Sequence, residues 1–279
     1  MHPRGLIFVG GHADGEVQHG GCLDLPTNEI HLWLAYYDEI NDPALHARYR
    51  ALLSRSELQQ EPRFHFARDR RRYLLTRALV RTVLSRYAGL APTDWEFRTN
   101  PYGRPEIANG GPMAGQIVFN VSHTHSLILL GVTRDRAIGV DVENLLSRSV
   151  TLDIADQCFA RAEVEALART PAERRQERFF EFWTFKESYI KARGMGLSLP
   201  LSKFRFTFPA EGSVRIDIDA DLDDDSRRWC LWQLRPAAPY VAAVCAERKA
   251  GPKPVITVRK TVPLLAEETL APEFLRMSE

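Results

Sequence analysis

The 279-residue sequence has few cysteines and almost no net charge, and both features argue against certain classes of protein. Its four cysteines show neither Cys-x-x-Cys nor Cys/His ligand spacing, which argues against a zinc site or a disulfide scaffold and fits a reducing cytoplasm. A net charge of +1 leaves no basic excess to neutralise a nucleic-acid backbone. No apolar stretch approaches the length of a membrane span, and a signal-peptide pattern is missing. We therefore expect a cytoplasmic protein that binds neither nucleic acid nor membrane.

Two carboxylates with strand spacing stand in the segment Gly139-Val140-Asp141-Val142-Glu143. Side chains two apart on a strand share a face, so Asp141 and Glu143 would lie side by side, and Gly139 would leave room for another group to approach. Adjacent carboxylates repel unless a proton or a cation lies between them. Acidic pairs on strand edges are also commonly just solvated, and that alternative stays open at this point.

A second block, residues 183–191, is predicted to be a helix on which Glu187 and Lys191 share one face. If this helix packs across the strand, three carboxylates and two lysines, Lys186 and Lys191, converge. Oxygen ligands of this kind suit Mg²⁺, which keeps several waters and takes substrate phosphates as further ligands. Either block alone has an ordinary structural explanation, but together they indicate phosphate chemistry.

A third block, residues 119–126, has the alternation of a strand that runs into a turn. Ser122 supplies a hydroxyl, and the ring nitrogens of His123 can donate to a phosphate oxygen. Upstream, residues 100–105 are predicted to form a turn that holds Arg104 between Gly103 and Pro105, and its planar guanidinium could form a phosphate fork. Turns of this kind normally only connect strands.

In order and spacing, four motifs resemble the signature of Sfp-type 4′-phosphopantetheinyl transferases. They are Gly-Arg-Pro (103–105), Phe-Asn-Val-Ser-His (119–123), Gly-Val-Asp-Val-Glu (139–143) and Trp-Thr-Phe-Lys-Glu-Ser-Tyr-Ile-Lys (183–191). The resemblance covers about residues 45–245, and its last block is the most specific. The Lys-Glu-Ser form resembles the subgroup that tolerates many carrier proteins.

The resemblance implies that coenzyme A donates its 4′-phosphopantetheine arm to a serine hydroxyl of an apo acyl or peptidyl carrier protein. Adenosine 3′,5′-bisphosphate is released. By the same resemblance, Asp141, Glu143 and Glu187 would hold Mg²⁺, and Glu187 would be the base for the incoming serine. The implied catalytic residues are Glu187, Lys191 and His123.

The resemblance also implies a set of contacts to coenzyme A. Lys191 would bind the transferred phosphate, Lys186 the pyrophosphate, and Arg104 would lie along the adenine nucleotide. The full implied set is Arg63, Arg72, Gly103, Arg104, Asn120, Ser122, His123, Lys186 and Lys191.

One departure from the family concerns the 3′-phosphate of coenzyme A. Family members often carry lysine or arginine in the helical segment before Arg63, where this chain has Glu57 and Gln60. We expect that Arg63 and the run 70–72 replace them, or that the 3′-phosphate is held more weakly.

Periodicity predicts helices at 43–58, 68–87 and 173–193 and strands that include 117–121 and 138–143. Both halves of the chain have helices followed by an antiparallel meander, which predicts an α+β fold. The resemblance implies a pseudo-twofold pair of similar subdomains with the active site in the cleft between them.

We divide the chain into a flexible leader (1–25), an N-terminal subdomain (26–136), a C-terminal subdomain (137–248) and a proline-containing tail (249–279). The tail is interpreted as a surface wrap or a partly disordered segment. Because one chain would complete one site, we expect a monomer.

Two other functions stay open. One is a coenzyme A-binding protein of the same fold without transferase activity, and the other is a Mg²⁺-dependent phosphohydrolase. The sequence does not indicate which carrier proteins are served.

Overall fold

A computed structural model describes residues 22–147, 149 and 152–279 of this chain. Most of the predicted leader therefore lies outside the described residues. The first half contains β1 (Glu29–Tyr36), α1 (Pro43–Arg50), α2 (Arg55–Gln60), α3 (Ala67–Ala88), β2 (Phe97–Thr99), β3 (Pro105–Ile107), α4 (Gly111–Gln116), β4 (Ile117–His123) and β5 (Leu127–Arg134). The second half contains β6 (Ile138–Asn144), α5 (Leu152–Cys158), α6 (Arg161–Ala168), α7 (Ala172–Arg193), β7 (Phe204–Thr207), β8 (Arg215–Ile218), β9 (Trp229–Arg235) and β10 (Tyr240–Glu247). The chain ends with β11 (Val255–Val262), β12 (Ala266–Leu270) and β13 (Glu273–Met277).

The helix predicted at 43–58 is interrupted, and forms α1 and α2. The reason is a capping box at Ser54, whose hydroxyl accepts from the Glu57 amide while the Glu57 carboxylate accepts from the Ser54 amide. The two long helices, α3 and α7, agree with prediction, and each ends at a glycine in the left-handed conformation, Gly89 and Gly194.

Two main sheets organise the fold. Their strand orders are β12-β11-β1-β5-β4 and β13-β9-β10-β6, and within them only the β1–β11 pair is parallel. With helices against both sheets, the fold is mixed α+β, as predicted. No helix in the described part of the chain combines the length and apolar character needed to cross a membrane.

The interpretation of the tail as a surface wrap or disordered segment is wrong. Strand β11 pairs with β1 from Glu29 opposite Val255 onwards, and β13 pairs with β9 in the other sheet. The tail therefore completes both sheets, because its alternating residues supply main-chain hydrogen bonds to strands that would otherwise be edges.

Apolar side chains form three buried clusters. One lies between α3 and the first sheet, and a second lies between α7 and the second sheet. The third is built from alternate residues of β1, β5, β6, β9 and β10, including Leu32, Leu129, Val140 and Val244. Since alternate residues of a strand face opposite sides, this pattern places the two sheets face to face between the helices.

Candidate active site

A cleft of about 640 Å³ lies between α3 and β4 on one side and β6 and α7 on the other. Its volume falls within the range of small-molecule sites. The lining residues that bear on chemistry are Asp69, Arg72, Tyr73, Thr76, Arg77, Ser122, His123, Asp141, Glu143, Trp183, Glu187 and Lys191. Three of the four sequence motifs thus contribute polar or charged side chains to one cavity.

Helix α7 crosses β6 at Gly139. A Cβ atom at this position would lie 1.9 Å from the Ser188 carbonyl oxygen and 2.3 Å from the Ala192 nitrogen. The room that the sequence predicted beside the carboxylates is therefore taken up by the backbone of α7. This close approach brings Glu187 and Lys191 next to the carboxylate-bearing strand.

Asp141, Ser122 and Lys191 form the centre of the site. The Lys191 Nζ lies 2.7 Å from Asp141 Oδ1 and 2.9 Å from Ser122 Oγ, and it also donates to the Val140 carbonyl at 3.1 Å. The Ser122 hydroxyl donates to the same Asp141 oxygen at 2.8 Å. The other oxygen, Asp141 Oδ2, is buried and has no hydrogen-bond partner. A buried carboxylate oxygen without a partner is costly, so this atom is available for a ligand.

Glu143 and Glu187 flank this centre. Glu143 Oε2 lies 3.4 Å from the Thr124 hydroxyl. Burial, followed by the negative charge of Asp141, raises the pKa of Glu187, and Lys191 opposes this effect. Among the described residues, no three carboxylate, histidine or cysteine side chains are drawn together closely enough to form a metal-ligand cluster. The cleft nevertheless holds the three oxygen donors of the predicted set.

His123 lies on the cleft wall at the end of β4 and is exposed to solvent. Removal of ring hydration by the cleft walls, together with the positive charge of Arg72, lowers the pKa of His123. A neutral imidazole still donates one N–H, so His123 can bind a phosphate oxygen without carrying charge.

The pyrophosphate contact expected of Lys186 needs correction. Its side chain is fully buried beneath α7, where Nζ contacts Glu163 Oε2 at 2.8 Å and donates to the carbonyls of Leu201 and Phe204. Burial lowers the pKa of Lys186, against the charge of Glu163. All three ammonium donors have partners, so Lys186 holds the core of the second half and does not reach a pyrophosphate.

The contacts to coenzyme A expected of Arg104 and Asn120 also need correction. Arg104 donates to the main-chain carbonyls of Lys191, Ala192 and Ile138, so its guanidinium is not a free phosphate fork. Asn120 is buried, and its Oδ1 accepts from the Val140 amide at 2.8 Å. Both side chains join the two halves of the chain and do not line the cleft. Gly103 lies in an exposed turn with a positive φ of 86°, a backbone conformation that favours glycine.

The carboxylate of Glu57 is paired with arginine side chains. Its Oε2 accepts from Nη2 and Nε of the buried Arg81, at 2.6 and 3.0 Å. Arg77, which the sequence analysis missed, lies 3.6 Å from Glu57 Oε1 and lines the cleft. The acidic departure at this position is therefore part of an ion-pair network behind the cleft wall.

Two arginines of α3, Arg72 and Arg77, line the cleft. Arg72 lines the cleft as predicted, whereas Arg63 is exposed outside it, 3.4 Å from Gln60. Of the missed residues, Thr76 is four positions after Arg72, and Tyr73 and Arg77 are likewise four positions apart. This helical spacing was the signal that could have identified them.

Comparison with known proteins agrees with this geometry. A family model described as "4'-phosphopantetheinyl transferase superfamily" matches residues 137–245, and one described as "4'-phosphopantetheinyl transferase, N-terminal" matches residues 43–134. The chain is 35% identical over 179 residues to the 4′-phosphopantetheinyl transferase HetI of Nostoc sp., covering 63% of this chain and 73% of HetI. It is 31% identical over 150 residues to the 4′-phosphopantetheinyl transferase Sfp of Bacillus subtilis, covering 54% of this chain and 64% of Sfp.

Both halves of the cleft thus fall within the matched ranges. The chain belongs to the 4′-phosphopantetheinyl transferase superfamily, is an enzyme of that class, and is of the Sfp type.

Proposed function

We propose that this enzyme transfers the 4′-phosphopantetheine group of coenzyme A to a serine hydroxyl of an apo acyl or peptidyl carrier protein, with Mg²⁺. The serine oxygen attacks the phosphorus that carries the pantetheine arm, and its proton passes to Glu187 directly or through a water. The bond to the adenosine phosphate breaks, and adenosine 3′,5′-bisphosphate leaves.

The observation that carries the proposal is the unpartnered oxygen of Asp141 at the floor of the cleft. The other oxygen of the same carboxylate, Asp141 Oδ1, is bound by the ammonium group of Lys191, and the negative charge of Asp141 acts on the carboxyl group of Glu187. Phosphoryl transfer depends mainly on positioning and charge neutralisation, and this cluster supplies both.

The donor set fits Mg²⁺. Asp141, Glu143 and Glu187 would hold the ion, because hard oxygen ligands with room for water and phosphate oxygens are what Mg²⁺ prefers. The Asp141 oxygen without a partner is the structural feature that supports this fit. When bound, Mg²⁺ neutralises charge on the pyrophosphate and polarises the phosphorus that is attacked.

Glu187 is suited to act as the base by its position, because it lines the cleft together with Asp141 and Lys191 and could accept the serine proton there. Lys191 would contact the transferred phosphate. The Ser122 hydroxyl, which accepts from Lys191 and donates to Asp141, orients both groups.

The wall of the cleft formed by α3 and β4 supplies donors for the remaining phosphates of coenzyme A. Arg72, Arg77 and His123 line it and present positive charge or N–H groups. We propose that these three, with Ser122, replace the contacts first expected from Arg63 and Lys186.

The arrangement of the chain is part of the same proposal. We infer two pseudo-twofold subdomains, 26–136 and 137–248, that place the active site between them in a cytoplasmic monomer. The cleft contains residues from both ranges, which supports this division.

Intact-protein mass spectrometry of an apo carrier protein, incubated with this enzyme, coenzyme A and Mg²⁺ or EDTA, tests the reaction. A mass gain of one phosphopantetheine arm that EDTA abolishes is the expected result. No gain on carriers from several pathways, despite coenzyme A binding, would favour the binding-only alternative. Coenzyme A cleavage without a carrier would instead favour the phosphohydrolase.

Glu187→Gln separates chemistry from binding. We expect transfer to fall by about 100- to 10,000-fold, the usual contribution of a general base, while coenzyme A still binds. Glu173→Gln, an exposed position on the same helix, is the matched control and should keep full activity. Normal turnover by Glu187→Gln would contradict the assignment of the base.

A further inference from the structure

Strand β6, which carries the carboxylates, is hydrogen-bonded to another strand, β10, along one edge only. Side chains from β4 and the turn after it contact its other edge. Asn120 Oδ1 accepts from the Val140 amide at 2.8 Å, and Thr124 Oγ1 accepts from the Asn144 amide at 3.1 Å. Asn120 and Thr124 are both buried. Two side chains thus replace part of a main-chain ladder.

These two hydrogen bonds bracket the metal-binding segment. The amides of Val140 and Asn144 flank Asp141 and Glu143 on either side, and both bonds join residues that are 20 positions apart. The Thr124 hydroxyl also lies 3.4 Å from the Glu143 carboxylate. The bonds therefore define where β6 lies along β4 over the stretch that bears both carboxylates.

Register matters here because a strand that slips by one residue turns its side chains to the opposite face. Such a slip would point Asp141 and Glu143 away from α7 and into the apolar layer between the sheets. The main-chain ladder with β10 opposes the slip on one edge. The side-chain bonds oppose it on the edge that faces Ser122.

We propose that Asn120 and Thr124 are positioning residues that hold Asp141 and Glu143 in the geometry needed to bind the divalent cation. The inference rests on the proposed Mg²⁺ function. Groups that orient ligands without touching the metal typically change metal affinity by about 10- to 100-fold when they are removed. We expect a loss of about tenfold for each single variant, Asn120→Ala and Thr124→Val.

The test is a titration of the enzyme–coenzyme A complex with Mn²⁺, in which electron paramagnetic resonance measures the free ion. Thr124→Val keeps the shape of the side chain and removes only the hydroxyl, so it remains informative if Asn120→Ala folds poorly. Thr124→Ser restores the hydroxyl and should restore affinity. Thr133→Val removes a buried hydroxyl that donates to the Arg136 carbonyl at 2.7 Å, away from the carboxylates, and is the matched control.

Weaker Mn²⁺ binding in Asn120→Ala and Thr124→Val, with wild-type affinity in Thr124→Ser and Thr133→Val, would support the proposal. Equal weakening in Thr133→Val, in proportion to lost thermal stability, would overturn it, since the role would then be purely structural. Unchanged affinity in both variants would overturn it while leaving the metal site intact. If the wild-type enzyme binds no Mn²⁺, the proposed metal site itself is wrong, and the positioning role fails with it.

Discussion

Helix α7 contributes lysines to two lysine–carboxylate pairs with almost equal separations. In the closed pair, Lys186 lies 2.8 Å from Glu163, and both side chains are fully buried. In the open pair, Lys191 lies 2.7 Å from Asp141, and the Lys191 side chain is 25% exposed to the cleft. The two lysines stand five residues apart on one helix.

The difference between the pairs lies in what else contacts them. In the closed pair, Lys186 also donates to two carbonyls, and Glu163 accepts from the Ala160 and Phe206 amides. In the open pair, one oxygen of Asp141 has no partner. A saturated buried pair fixes the packing of a core, whereas a pair with an unused oxygen beside a cavity can bind a ligand.

Breaking the closed pair should have the largest effect. Lys186→Met leaves the Glu163 carboxylate buried without its cation, so we expect the free energy of unfolding to fall by about 3–5 kcal/mol. Urea denaturation measures this, and the double variant Lys186→Met/Glu163→Gln should recover part of the loss. A stable Lys186→Met enzyme with weakened coenzyme A binding would instead restore the role first inferred from the sequence.

Breaking the open pair should mainly affect the reaction. We expect Lys191→Met to lower the transfer rate by about 100- to 1,000-fold, because a preorganised positive group at the transferred phosphate is lost. The change in unfolding free energy should be smaller than for Lys186→Met, since Lys191 is partly solvated. Lys203→Met, which removes a partly exposed lysine paired with Asp219 and Asp221, is the control. It should change the unfolding free energy by no more than about 1 kcal/mol and leave the transfer rate unchanged. A purely structural role for Lys191 would show as an equal loss of stability and activity.

Moving α7 away from β6 should disturb the open pair directly. In Gly139→Ala, the added methyl group meets backbone atoms that cannot rotate aside, so the helix must shift. We expect a loss of about 1–3 kcal/mol in unfolding free energy, together with reduced transfer per folded molecule. Gly115→Ala, whose added Cβ would have nothing within 4 Å, should change neither. Full activity in Gly139→Ala would show that the close approach is not needed.

The smallest expected effect concerns pH. The pKa of Glu187 is raised in the folded protein, so its protonation stabilises the metal-free fold at low pH. That contribution is lost as pH rises from the ordinary glutamate value through the raised one. Glu187→Gln should lack this part of the pH dependence of thermal stability, whereas Glu173→Gln should keep it. Identical profiles for wild type and Glu187→Gln would rule out the shift.

The elements with strong periodicity were predicted well. Helices α3 and α7 and strands β4 and β6 stand close to their predicted positions, because regular apolar spacing and terminal glycines are local signals. The tail was not, since β11 and β13 pair with β1 and β9, which lie far away in the sequence. Pairing with a distant strand produces little recognisable pattern in the local sequence of the segment that pairs.

The site shows the same division. Spacing alone placed Asp141 and Glu143 together, and helical periodicity placed Glu187 and Lys191 on one face. The family motifs also predicted roles at the site for Lys186, Arg104 and Asn120, whereas the structure pairs these three side chains with other groups of the protein.

Thus the sequence by itself determined the class of enzyme and the donors at the centre of the cleft, because period and order are local properties. Only the tertiary structure decided which of two lysines on α7 faces the cleft and which closes a core. It also decided that Arg104 and Asn120 bind main-chain groups. The physical reason is that motif membership says which residues stand near a site, while hydrogen-bond saturation and burial, which depend on distant partners such as Glu163 and Val140, determine whether a side chain is free to bind.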